Sequence, residues 1–110
     1  MKFSVSKLAA AFLFVSVASA NLHDTCACHN SDSYNWRMTT KACEYYARSN
    51  YKWGQTVYDS PSGNCVGVNG GKIAGDQWED ACRQTAKAGF DCADGRGHCT
   101  ADPDSVFGSC

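Results

Sequence analysis

What this chain lacks first is a charge of one sign. Ten Lys and Arg stand against eleven Asp and Glu, and two of those cations, Lys2 and Lys7, lie at the extreme N-terminus. From residue 21 onward eight basic face eleven acidic residues, a formal −3. No basic face of the kind that grips nucleic acid or anionic membranes is expected. No Asn-x-Ser/Thr triplet occurs, so N-glycosylation is not expected. The Cys-x-x-Cys redox pair and the Gly-x-Ser-x-Gly elbow of serine hydrolases are missing too. Beyond residue 20 no long apolar run remains, so no transmembrane anchor is expected. Internal repeats, low-complexity tracts and linkers are also lacking, so residues 21–110 read as a single domain.

What is present is cysteine, eight in all, placed behind a leader. Lys2 and Lys7 form a positive front, Leu8 to Val17 an apolar middle, and Ala18-Ser19-Ala20 the small residues that a signal peptidase reads. The leader is therefore expected to span 1–20, with Asn21 as the mature N-terminus and secretion as the destination. In an oxidising route, Cys26, Cys28, Cys43, Cys65, Cys82, Cys92, Cys99 and Cys110 read as four bridges. A domain this small buries only about 60% of its unfolded surface. Bridges contributing about 2–4 kcal/mol each offset that shortfall. Eight cysteines allow 105 connectivities, and the sequence does not choose among them.

Local pattern supplies an order of elements. Cys26 and Cys28, two apart, fall on one face of a first strand at 24–29. Residues 30–38 read as a loop. A helix over Thr39–Asn50 follows, capped by Thr39 or Thr40, with Ala42, Cys43, Tyr46 and Ala47 along one stripe and Asn50 as a left-handed stop. Tyr51–Tyr58 reads as a strand and Asp59–Asn64 as a turn, with Cys65–Val68 returning. Asp76 and Glu79 fit a capping box for a second helix with Trp78, Ala81, Cys82 and Thr85 on its inner face. Gly89 is placed to end that helix, and Phe90–Ala93 resembles a closing strand before a Gly- and Asp-rich tail. The sum is an α+β fold, a small disulfide-rich α/β sandwich. Its order is ferredoxin-like βαββαβ, with a four-stranded antiparallel sheet and two helices on one face. Cys43 and Cys82 would staple the helices to the sheet through Cys26, Cys28 or Cys65.

The series of leader, Cys-x-Cys, TTKACEYYAR, SGNCVGV, AGDQWEDACRQTAKAG and cysteine-rich tail resembles the small cysteine-rich secreted proteins of filamentous fungi, many of them effectors delivered to a host. The element order is also similar to that of the killer toxins of smut fungi. The resemblance covers residues 21–110 and rests on cysteine placement and element order, so it carries over no functional residue.

Constellations with chemical potential are few. Cys26, Cys28 and His29 with His98 and Cys99 could form a zinc site, but oxidation of the thiols is the preferred reading, so neither metal nor cofactor is expected. Glu44 or Glu79 with a histidine and Arg48 or Arg83 could serve a nuclease, yet both Glu–Arg pairs have the i,i+4 spacing of ordinary helix surface pairs. No enzymatic activity is expected. Binding has better candidates. Tyr34, Trp36, Tyr45, Tyr51, Trp53 and Tyr58 cluster in one stretch. Tyr45 falls off the buried stripe, and Tyr51 and Trp53 share a strand face, where they could stack on sugars or anchor a protein. Trp53 equally suits the core. The loop between Cys92 and Cys99 presents Arg96 and His98, either as a recognition element or as a plain turn. The expected protein is a secreted, non-enzymatic monomer that binds a host protein or glycan outside the cell. A toxin acting on competing microbes is the alternative.

Overall fold

Cys26, Ala27 and Cys28 are all buried in the strand Thr25–Asn30, and pairing on both of its edges makes this segment the strand around which the sheet forms. The computed structural model describes residues 21–110; the expected leader, 1–20, lies outside the described residues. The elements are β1 (Leu22–His23), β2 (Thr25–Asn30), β3 (Ser33–Tyr34), α1 (Trp36–Arg48), β4 (Thr56–Asp59), β5 (Asn64–Gly67) and β6 (Ile73–Ala74). Then come α2 (Gly75–Ala88), β7 (Phe90–Asp91), β8 (His98–Cys99), a 3-10 turn at Pro103–Ser105 and β9 (Val106–Ser109). Among the described residues, two helices, antiparallel sheets and four disulfides thus make a small α+β fold.

All pairings are antiparallel. β2 meets β5 at Cys26↔Cys65, β9 from Ala27↔Ser109 to Asn30↔Val106, and β3 at His29↔Tyr34. β4 pairs with the other edge of β5, from Thr56↔Gly67 to Asp59↔Asn64. Because His29 and Asn30 have partners in both β3 and β9, those strands flank β2 on opposite edges. Cys26 likewise faces Cys65 in β5 while its Cα lies 4.0 Å from that of Cys110, next in register after Ser109. Two residues cannot share one place, so β5 and β9 also lie on opposite sides of β2. Separate two-stranded pairs join β1 to β6 and β7 to β8.

The bridges are Cys26–Cys110, Cys28–Cys82, Cys43–Cys65 and Cys92–Cys99, which uses all eight cysteines. The second joins α2 to β2 and the third joins α1 to β5. Each helix is therefore cross-linked to the sheet, as expected. Around these sulfurs lie Trp78, Tyr46, Met38, Ile73 and Val106, all fully buried. The polar ends of the two large rings are satisfied. Trp78 Nε1 donates to Ala27 O at 2.8 Å, and the Tyr46 hydroxyl accepts from Ala74 N at 2.9 Å.

Four local expectations require correction. The first helix starts at Trp36, not Thr39, because Asn35 caps it: the Asn35 side chain accepts from Met38 N at 3.0 Å. Thr39 is freed for another task. Its buried hydroxyl donates to Asn35 O at 2.8 Å and accepts the Cys28 N–H at 2.9 Å, tying α1 to β2. The second helix has no capping box. It follows Ala74 without a side-chain cap, and Glu79 instead accepts from Gly108 N at 3.2 Å. Tyr51–Gln55 is not strand. Gly54 at φ +116° lies so close to Gly71 that a Cβ there would come within 2.7 Å of the Gly71 Cα, and only Thr56–Asp59 stays extended.

The last correction concerns the closing strand. Phe90–Asp91 pairs with His98–Cys99 in a small hairpin closed by Cys92–Cys99, apart from the main sheet. The edge of β2 is taken by Val106–Ser109. There Arg83 Nε donates to Val106 O at 2.9 Å, Glu79 holds Gly108 N, and Cys110 bonds Cys26. Other expectations hold: Gly89 ends α2 at φ +110°, and Asn50 is left-handed at φ +56°.

Replacing Thr39 by valine keeps the side chain's shape and leaves the buried Cys28 N–H without an acceptor. We expect a loss of about 1–3 kcal/mol in urea unfolding, with an unchanged slope of free energy against denaturant.

Candidate functional site

The pleat that turns Cys26 and Cys28 inward turns His29 outward, and the register carries aromatic partners to it from both sides. Phe107 of β9 and Tyr34 of β3 both lie opposite His29. The His29 ring stacks on Phe107 with centroids 5.1 Å apart and planes 11° from parallel, and meets Tyr34 edge-on at 6.0 Å. At the start of α1, Trp36 lies under the Arg37 guanidinium, 4.0 Å from the ring centroid. Tyr34, Trp36 and Phe107 are three of the five large apolar side chains exposed among the described residues, at 44%, 41% and 39%. Leu22 and Val57 are the others. Between Tyr34, Trp36, Tyr58 and the β4–β5 loop opens a concavity of about 460 Å³.

That loop is held in place. Tyr34 donates its hydroxyl to Gly63 O, Gly63 N donates to Asp59 O at 2.8 Å, and the Asp59 carboxylate accepts from Ser62 N at 3.0 Å. The bonds from Ser62 hold the exposed Asp59 carboxyl below its usual pKa. Gly63 adopts φ +75°, and a Cβ there would come within 2.7 Å of the Tyr34 hydroxyl oxygen.

Partial burial of the Tyr34 hydroxyl and its hydrogen bonding with Tyr58 push its pKa from 10.0 up to about 12. Burial also raises that of Tyr46. A pKa raised by folding contributes stability below the unfolded value of 10.0 that is lost as pH climbs through about 12. In a 295 nm titration, two of the five tyrosines should therefore ionise late. Tyr34→Phe should remove one of those late transitions; an unchanged late phase would refute the partial burial of this hydroxyl beside Tyr58.

The residues singled out from the sequence lie elsewhere and do not converge. Tyr45 is half-buried and lines a cleft of about 220 Å³ between α1 and α2, beside Lys41, Arg48, Gln84 and Ala88. Tyr51 and Trp53, both half-buried, do not share a strand face. Tyr51 packs on buried Tyr46 at 4.8 Å and Trp53 on Tyr51 at 5.8 Å. Arg96 is exposed in the β7–β8 hairpin, whose turn is stabilised by the Asp94 carboxylate accepting from Arg96 N at 2.9 Å. His98 Nε2 lies 3.1 Å from Ala88 O at the end of α2, covering Gly89 so closely that no Cβ fits there. Trp36 and Tyr34 belonged to the aromatic stretch recognised in the sequence. Phe107 and His29 lie outside that stretch, and their juxtaposition depends on β9.

The candidate acid–base groups are engaged locally. Glu44 lies 3.8 Å from Lys41 and 3.9 Å from Arg48, and Glu79 lies 3.7 Å from Arg83. Among the described residues no cluster of three or more His, Cys, Asp or Glu could hold a metal, and no helix is long and apolar enough to cross a membrane. The cysteines that a zinc site would need are disulfide-bonded. No protein-family model matches this chain, and no curated protein or solved structure matches it.

Proposed function

We propose that this protein is exported and acts outside the producing cell, as an effector-like module that holds a host molecule on the aromatic face of β9, β2, β3 and the start of α1. The observation that carries this reading is three large aromatic side chains left about two-fifths exposed on a frame closed by four disulfides. Exposed aromatic surface that folding has not buried offers about 25 cal/mol per Å² to a partner. Trp, Tyr and Arg, here Trp36, Tyr34 and Arg37, are the side chains most often dominant in binding. A cross-linked frame also lowers the ordering cost of association. Four disulfides in a small domain accord with an oxidising, extracellular setting.

The same proposal includes a fold assignment. We read the main sheet as a ferredoxin-like split βαβ in which β9 is the fourth strand. The order β9-β2-β5-β4, antiparallel throughout, supports it. So do the bridges from Cys28 and Cys65, which fix α2 and α1 against the sheet.

Two measurements test the function. Expression of the full sequence in a secreting fungal host should release a chain that begins at Asn21 and lacks eight thiol hydrogens. Retention inside the cell with residues 1–20 attached would overturn the export reading. Fluorescently labelled oxidised protein should then resist washing from intact candidate-host cells. The Trp36→Ala, Phe107→Ala double variant should be washed away while keeping its circular dichroism; equal retention would overturn the binding face.

A further inference from the structure

The concavity beside Trp36 has a lining that selects for ligand chemistry. It is lined by Tyr34, Trp36, Tyr58, Ser60, Pro61, Ser62 and Gly63. No Lys, Arg, Asp, Glu or His lies among these residues, although charged residues are about a fifth of the sequence. We propose that this concavity is a subsite for a neutral glycan, a deepening that rests on the binding-face reading above.

Four features carry the assignment. An anionic ligand such as a phosphate or an acidic peptide would need a cation in the lining; the lining has none, and Arg37 beside it is engaged on the Trp36 ring. A cationic ligand would meet the Arg37 guanidinium already lying over the Trp36 ring, and the loop carboxylate, Asp59, is not among the lining residues. A purely apolar ligand would cover the exposed Ser60 hydroxyl, whereas Ser62 Oγ is already engaged by Asp59 O and Asn64 N. A sugar ring meets both demands. Its C–H face packs on an aromatic ring, and its hydroxyls bond to neutral hydroxyl and backbone groups at the rim.

Size and rigidity agree with this. At about 460 Å³, the concavity falls within the range of roughly 300–1,000 Å³ typical of small-ligand sites. It is shallow and open, which suits one face of a chain-like ligand that continues past the site. The site is also ordered before any ligand arrives. Tyr34 is tethered to Gly63 O, Ser62 Oγ accepts from Asn64 N at 3.3 Å, and Arg37 holds the Trp36 ring. Tyr34, which lines the concavity and meets His29 edge-on, joins it to the stacked His29–Phe107 pair.

The test uses the oxidised protein and neutral cello-, chito-, xylo- and manno-oligosaccharides at millimolar concentration. Indole and amide shifts should move on titration at Trp36, Tyr58 and Ser60 and stay fixed at Trp53 and buried Trp78. Affinity should fall at least tenfold in Trp36→Ala and Tyr58→Ala and stay unchanged in Trp53→Ala. The shift map on the unaltered protein keeps the test decisive if a variant fails to fold. Absence of shifts with every oligosaccharide, or shifts centred away from Trp36, would overturn the glycan assignment. Cell labelling that Trp36→Ala abolishes but excess oligosaccharide and glycosidase treatment leave intact would overturn it too, with the binding face itself standing.

Discussion

Replacing Cys28 and Cys82 together by alanine should abolish cooperative folding at 37 °C. Both residues are fully buried, 54 positions apart, and their bridge joins α2 to the strand that every other strand of the main sheet depends on. Constraint of a loop that long is worth about 4 kcal/mol in the chain-entropy account. The empty sulfur sites add a packing loss. Against a net stability of about 5–15 kcal/mol for a domain, that is most of what is available. Cys92–Cys99 makes the comparison informative. It closes a loop with a separation of 7 in an exposed hairpin, so Cys92→Ser with Cys99→Ser should cost about 2 kcal/mol and leave a folded protein. Thermal melts followed by circular dichroism rank the two. A hairpin variant as unstable as the core variant would contradict the architecture.

Trp78→Ala should be nearly as damaging. This side chain is the largest that is fully buried, and truncating a core tryptophan costs about 3–5 kcal/mol. It also leaves Ala27 O without the indole N–H. Trp78 further packs on Gly108 of β9, where an added Cβ would come within 2.7 Å of the indole Cδ1. The variant should therefore lose β9 first, seen as rapid amide exchange over 106–109 and faster reduction of Cys26–Cys110. Trp78→Phe, which keeps most of the volume but not the hydrogen bond, should lie between, about 1–3 kcal/mol below the parent. A stable Trp78→Ala protein with a protected β9 would show that the indole is not the link between helix and edge strand.

The sequence made the helix stripes legible because burial at i, i+3 and i+4 is a local signal. Tyr46, Trp78, Ala81 and Cys82 are buried as the pattern implies. Helix starts were less legible, since Asn35, Thr39 and Thr40 are all competent caps and only the partner of the Thr39 hydroxyl distinguishes them. That partner, Cys28 N, is 11 residues away. YKWGQTVY reads as one strand because of its high strand propensity, whereas the closeness of Gly54 to Gly71 is a tertiary fact. The element least legible in the sequence is β9. Val106 inward and Phe107 outward form a period-2 pair after an Asp-Pro-Asp turn, a signal too short to prevail over the Gly- and Asp-rich surroundings. With β9 unassigned, Phe107 could not be brought to His29, and the aromatic face stayed hidden behind the more conspicuous Tyr51 and Trp53.

The ladder position of Cys26 has a consequence for how the molecule matures. Its proper partner, Cys110, is 84 residues away, whereas Cys65 stands directly across from it in β5. A nascent chain made from its N-terminus therefore has Cys26 beside a tempting wrong sulfur well before the right one exists. Premature Cys26–Cys65 closure would strand Cys43, and escape from it requires thiolate exchange. Yield in a cell should accordingly be governed by disulfide isomerase capacity, with reshuffling of this one cross-link as the slow event.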